Sequence, residues 1–200
     1  SIKVLHVGDS HIKGGFFTEK VQNELTQIFP SLAYKDFGIN GATAHSFYRD
    51  DRVSQIKQAN PDLLILSFGT NESHSRRYNP SMHQKELDKL LEAIRVVLPH
   101  TPILLTTPPG SFDRVRRRVY TNNPRTAKAS SLIKSVAVQH HLAYWDMYCI
   151  VGGKEHACQN WKDAKLIRPD HVHDLPEGYE LQANLFCEAL IKAYNEYITL

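Results

Sequence analysis

Leu63-Leu64-Ile65-Leu66-Ser67-Phe68 is an almost unbroken apolar run of strand length. Apolar and polar residues do not alternate in it, so both of its faces must be buried. A strand of that kind belongs in the middle of a parallel sheet, with helices on either side. The rest of the chain follows the same logic. Ile2 to Val7, Leu32 to Phe37, Pro102 to Thr107 and Leu142 to Asp146 also read as strands. Between them the apolar spacing turns helical. Val21, Leu25 and Ile28 recur within Thr18 to Phe29, ahead of Pro30, and Leu87, Leu90, Leu91, Ile94 and Val97 share one face of Ser81 to Leu98. Ser46 to Gln58 and Thr126 to Gln139 read as helices, and Glu177 to Tyr197 as a closing helix entered through Pro176. Strands alternating with helices predict an α/β fold. Its economical form is a three-layer α/β/α sandwich around a five-stranded, mainly parallel sheet. No repeat or linker interrupts the pattern, and 200 residues suit one domain spanning 1–200.

In such sheets ligands bind beyond the carboxyl ends of the strands, and the polar residues concentrate there. The first strand runs into Gly8-Asp9-Ser10-His11, the second into Gly38-Ile39-Asn40-Gly41-Ala42-Thr43, and the third into Gly69-Thr70-Asn71-Glu72. Asp170-His171-Val172-His173 precedes the last helix. A serine hydroxyl is a poor nucleophile until a base takes its proton. His173 suits that base, and Asp170 suits the group that orients it. A tetrahedral oxyanion needs donors aimed at it. The N–H groups of Ser10 and Gly41 and the amide of Asn71 are the candidates, with Gly41 permitting close backbone approach.

GDS, NGAT, GTNE and DxxH, in this order and spacing, resemble the four blocks of the SGNH (GDSL-like) serine hydrolases along almost the whole chain. The resemblance implies a flavodoxin-like sandwich and a carboxylic ester hydrolase working through an acyl-serine intermediate. It implies Ser10, Asp170 and His173 as the triad, Ser10, Gly41 and Asn71 as the oxyanion hole, and no metal or cofactor. His11 stands where the family name has leucine, and Glu72 follows Asn71 where many members have aspartate. These departures, with Gly152-Gly153 and Trp161, are similar to the branch that acts on acylated carbohydrates, including peptidoglycan O-acetyl esterases. The expected substrate is therefore an O-acetylated carbohydrate or cell-wall glycan, and the expected location is extracytoplasmic. A lipase, lysophospholipase or thioesterase-like activity is the enzymatic alternative, and a non-catalytic carbohydrate-binding module is the other.

Each residue also has a plainer reading. Ser10 can be a helix cap, Asn71 a turn residue, and Gly41 a turn glycine. His11 either lines the pocket or packs, Glu72 is a substrate-binding candidate beside Asn71, and Trp161 either stacks on a sugar or packs. His171 rivals His173 as the base, and Asp170, His171, His173 and Asp174 together resemble a weak metal pattern. Pro108 to Asn123 reads as a long connecting loop, rich in arginine and suited to line a substrate pocket.

Composition excludes other classes. The formal net charge is +3, and aromatic residues are not interleaved with basic ones as nucleic-acid stacking platforms require. No apolar run approaches the roughly 18 residues that span a bilayer, and no signal peptide is visible in the chain. Cys149, Cys158 and Cys187 form no CxxC pair, so a zinc ribbon is not expected. Cys149 and Cys158 suit a small disulfide loop only in an oxidising compartment.

Overall fold

The computed structural model describes residues 1–200. In chain order, β1 (Lys3–Gly8) leads into α1 (Ser10–Lys13) and α2 (Phe16–Ile28), and β2 (Ala33–Gly38) into α3 (Ala44–Arg49) and α4 (Arg52–Ala59). β3 (Leu63–Ser67) is followed by α5 (Thr70–His74) and α6 (Pro80–Val97), then β4 (Ile103–Thr106), β5 (Phe112–Arg116) and β6 (Val119–Asn122). α7 (Pro124–Gln139), β7 (Ala143–Trp145), the short α8 (Met147–Ile150), α9 (Gly153–His156) and α10 (Gln159–Asp163), and α11 (Pro176–Ile198) complete it.

Five strands form one sheet in the order β2-β1-β3-β4-β7, and every pairing in it is parallel. The predicted strands and sandwich are thus present. Side chains alternate across the sheet. Leu5, Val7, Leu64, Leu66, Ile103 and Leu105 pack against α3, α4, α6 and α7 on one face. Val4, Ile65 and Leu104 pack on the other against Phe17, Val21, Ala183 and Phe186 of α2 and α11. His6 lies among the second set, fully buried. Its two ring nitrogens meet Tyr34 Oη and Ser67 Oγ, each at 2.6 Å, which satisfies an otherwise costly polar group.

The strand ends are level. Gly8 lies opposite both Gly38 and Ser67, and Ser67 lies opposite Thr106. The loops beyond Gly8, Gly38 and Ser67 therefore emerge side by side. Gly38 is required there because a Cβ would collide with the backbone of Lys13, which α1 lays across the end of β2.

Two expectations change. The helix expected over Ser46 to Gln58 is two, broken at Asp50-Asp51, where Asp51 adopts a left-handed φ of 52°. The connection Pro108 to Asn123 contains an antiparallel hairpin, β5–β6, outside the main sheet. All three cysteines are unpaired: Cys149 is exposed, whereas Cys158 is buried and faces Gly110. No helix is long and apolar enough to cross a membrane.

Candidate active site

Ser10 opens α1 immediately after β1. Asp9 fixes that turn, its Oδ1 accepting the N–H of His11 at 2.9 Å. Ser10 Oγ lies 2.7 Å from His173 Nε2, and His173 Nδ1 lies 2.8 Å from Asp170 Oδ2. A carboxylate only accepts. Asp170 therefore keeps the imidazole proton on Nδ1 and leaves Nε2 free to receive the serine proton. The other oxygen, Asp170 Oδ1, accepts the N–H groups of Val172 and His173, both at 2.9 Å. Partial burial works against the charge on Asp170. The two N–H donors and the His173 ring outweigh it and hold the pKa below the ordinary aspartate value.

The loop carrying this pair is anchored on three sides. Arg168 donates its N–H to His173 O at 2.8 Å, and Phe112 donates its own to His171 O at 3.0 Å. Gln182 of α11 holds Asp174 at 2.5 Å. His171, the rival base, points elsewhere: its Nδ1 meets Pro169 O, and its ring stacks flat on Tyr120 with centroids 3.6 Å apart. His171, His173 and Asp174 are thus committed to different partners, which dissolves the weak metal pattern.

The oxyanion candidates stand on the neighbouring loops. Gly41 has φ 73°, a conformation that favours glycine, and a Cβ built there would meet nothing within 4 Å. Within the protein its requirement for glycine is therefore conformational, and the space beside its backbone is open to a bound group. Asn71 lies on α5, and one of its amide hydrogens donates to Ala42 O at 2.9 Å. That bond ties the two loops together and leaves the second amide hydrogen for another acceptor.

Glu72 performs a different task from the one expected. It is buried, with Oε1 accepting the N–H of Ala44 at 3.0 Å and Oε2 that of Gly69 at 2.9 Å. Its carboxylate thus staples the Gly41 loop to the Asn71 loop and presents no oxygen to a substrate. Burial, opposed by those donors, raises its pKa to about 7. Trp161 is also buried, and its indole N–H donates to Val151 O at 2.8 Å, so no ring face is open to a sugar. His11 packs behind His173, ring centroids 5.1 Å apart, with Nδ1 on Tyr179 Oη at 2.8 Å. Burial, aided by the neighbouring His173, lowers its pKa to about 3 and keeps it neutral. Tyr120, which the sequence suggests only as a pocket-shaping residue beside the arginines, steadies His171, and Tyr179, which steadies His11, was not singled out from sequence. For Tyr179 a signal existed, since Tyr179 and Gln182 share one face of α11 three residues apart.

The arrangement can remove a proton from a serine hydroxyl and return it to a leaving group. The fold is similar to that of a peptidoglycan O-acetylesterase, with TM-score 0.89 and 16% identity, covering 98% of this chain and 92% of that one. It is also similar to the acetyl xylan esterase AlAXEase, with TM-score 0.70 and 20% identity over 94% of this chain and 99% of that one. A catalytic mutant of Axe2, an acetylxylan esterase from Geobacillus stearothermophilus, gives TM-score 0.70 and 16% identity over 94% and 93%. At these identities the likeness is one of fold. No curated protein matches the chain by sequence. Residues 7–181 match the GDSL-like Lipase/Acylhydrolase family, and the chain, a serine esterase, belongs to it.

Proposed function

We propose that this esterase removes O-acetyl groups from a carbohydrate, with Ser10 as nucleophile, His173 as general base and acid, and Asp170 as its orienting partner. One observation carries the mechanism: the hydrogen-bond chain Ser10–His173–Asp170 is continuous, at 2.7 and 2.8 Å. His173 Nε2 takes the Oγ proton as Ser10 attacks the acetyl carbonyl. The tetrahedral oxyanion faces the N–H groups of Ser10 and Gly41 and the free Asn71 amide hydrogen. His173 then protonates the departing sugar oxygen, leaving acetyl-Ser10. A water, deprotonated by His173, attacks that ester, and collapse releases acetate and restores the serine proton.

Two considerations favour acetyl over long acyl chains. The structurally similar proteins named above include esterases of acetylated glycans. The apolar groove lined by Ile2, Val4, Leu25, Phe29, Leu32 and Tyr34 lies at the opposite end of β1 from Ser10. At about 3.3 Å per strand residue, it is roughly 20 Å from the nucleophile, so it does not adjoin Ser10 as an acyl pocket beside the scissile ester would.

The test is hydrolysis of an aryl acetate and release of acetate from acetylated xylan, by wild type and by Ser10→Ala, with chelator throughout. Wild type should turn over both and prefer acetyl to long-chain aryl esters. Ser10→Ala should lose roughly 10⁴-fold or more in kcat. Unchanged turnover in the variant removes the serine mechanism, and a preference for long acyl chains removes the acetyl reading.

A further inference from the structure

Charge is unevenly distributed in this molecule, and the excess flanks the serine–histidine pair. Arg114, Arg116, Arg117 and Arg118 of the β5–β6 hairpin are exposed, as are Arg76 and Arg77 just beyond α5. Arg125, at the start of α7, completes the group. The one acid among these segments, Asp113, is already bonded to Arg125 at 2.7 Å. The flank thus holds seven arginines against one carboxylate, whereas the rest of the chain holds seventeen basic residues against twenty acidic. The formal charge of +3 comes entirely from this flank.

The two arginine segments form one surface, because Arg76 Nη2 donates to Arg114 O at 3.0 Å. That surface also reaches the catalytic loop. Arg114 lies directly opposite Tyr120 in the hairpin register, so the two share a face. Tyr120 stacks on His171, between Asp170 and His173. Six guanidinium groups beside one another, with no carboxylate partner, repel each other and contribute nothing to either core. Arg118 adds the strain of a left-handed φ of 61° at the tip. Guanidinium presents a planar fork that fits a carboxylate with two parallel hydrogen bonds.

We infer that this flank binds the carboxylates of an anionic polysaccharide whose acetylated unit reaches Ser10. The glycan part of this inference rests on the carbohydrate-esterase reading above. Nucleic acid fits less well, because Phe112 is buried and one face of Tyr120, the hairpin's other ring, is taken by His171, so no series of stacking platforms accompanies the arginines. A membrane surface fits less well too, since Val115 is the one exposed large apolar residue of the hairpin.

Affinity electrophoresis tests this with polygalacturonate, neutral xylan, RNA or phosphatidylserine vesicles as the immobilised phase. The proteins compared are wild type and the triple variant R114Q/R116Q/R117Q, whose thermal unfolding is measured first. Wild type should be retarded by polygalacturonate, not by neutral xylan, and high salt should release it. The variant should bind roughly tenfold more weakly. Equal retardation of both proteins, no retardation by polygalacturonate, or stronger retention on RNA or vesicles overturns the inference. Release of acetate from acetylated xylan, a neutral polymer, is scored separately. The esterase reading and the charged flank therefore fail in different assays.

Discussion

Glu72 shows how much a single buried carboxylate does for the loops around Ser10. Both of its oxygens are taken by backbone N–H groups on different loops, at Ala44 and Gly69. A glutamine has one acceptor oxygen and one NH₂, so it can serve only one of these donors and must set its own N–H against the other. Glu72→Gln should therefore spread the Gly41 and Asn71 loops and lower kcat on an aryl acetate by roughly 10- to 100-fold, the cost of one orphaned buried donor. KM should change much less if these loops supply the proposed oxyanion donors, which act on the transition state. A variant with wild-type kcat, or one that loses only KM, would show that the staple does not position the oxyanion donors. Ser10, Asp170, His173 and Asn71 stood out in the sequence because ester chemistry calls for those residue types, and the structure joins the first three in one hydrogen-bond chain. The role of Glu72 was not legible, and for Trp161 and His11 the sequence left packing open beside a pocket role, of which the structure shows packing. Which way a side chain turns after a strand depends on neighbours from distant segments, and sequence spacing carries no record of them.

At the scale of elements, the strands were legible because burial on both faces leaves long apolar runs, and the long helices because one face repeats. The β5–β6 hairpin was not. Its strands read Phe112-Asp113-Arg114-Val115-Arg116 and Val119-Tyr120-Thr121-Asn122, and its turn is Arg117-Arg118. No Asn-Gly or Asp-Gly marks that turn, although Arg118 adopts the left-handed φ such a pair would supply. Asp50-Asp51 hid the break between α3 and α4 in the same way. The hairpin matters because it braces the catalytic loop, through the Phe112–His171 backbone bond and the flat Tyr120–His171 stack. A stacked aromatic pair is worth about 0.5–1.5 kcal/mol beyond burial. Tyr120→Ala should accordingly lower kcat/KM on an aryl acetate by roughly 2- to 10-fold, and Tyr120→Phe should retain it. Equal losses in the two variants would assign the effect to the phenolic hydroxyl and not to the stack.

Across the whole molecule, two opposed sets of buried groups govern how stability depends on pH. Burial raises Asp9, Glu72 and Asp174 to about 7. It lowers His6 and His11 to about 3 and His83 to about 4. For the acids, the folded state holds protons that the unfolded state has released. Their contribution is full below the unfolded values near 4 and is lost as pH rises through about 7. For the histidines the sign reverses: their contribution is full above the unfolded value of about 6.5 and is lost as pH falls through the folded values. Between about pH 5 and 6.5 the unfolded chain carries about three extra protons on histidines, and the folded chain about three extra on carboxyls. The two slopes cancel there. The melting temperature should therefore form a plateau between about pH 5 and 6.5, fall toward pH 4 as the unfolded histidines dominate, and fall again from pH 6.5 to 8 as the buried acids ionise. Glu72→Gln removes one of the three acids, so the upper decline should be shallower in that variant, whatever its absolute stability. The check is the melting temperature of both proteins in steps from pH 4 to pH 8 at fixed ionic strength. A wild-type melting temperature that climbs steadily through neutral pH would mean that Asp9, Glu72 and Asp174 are ionised in the fold at little cost, with their backbone and side-chain donors outweighing burial.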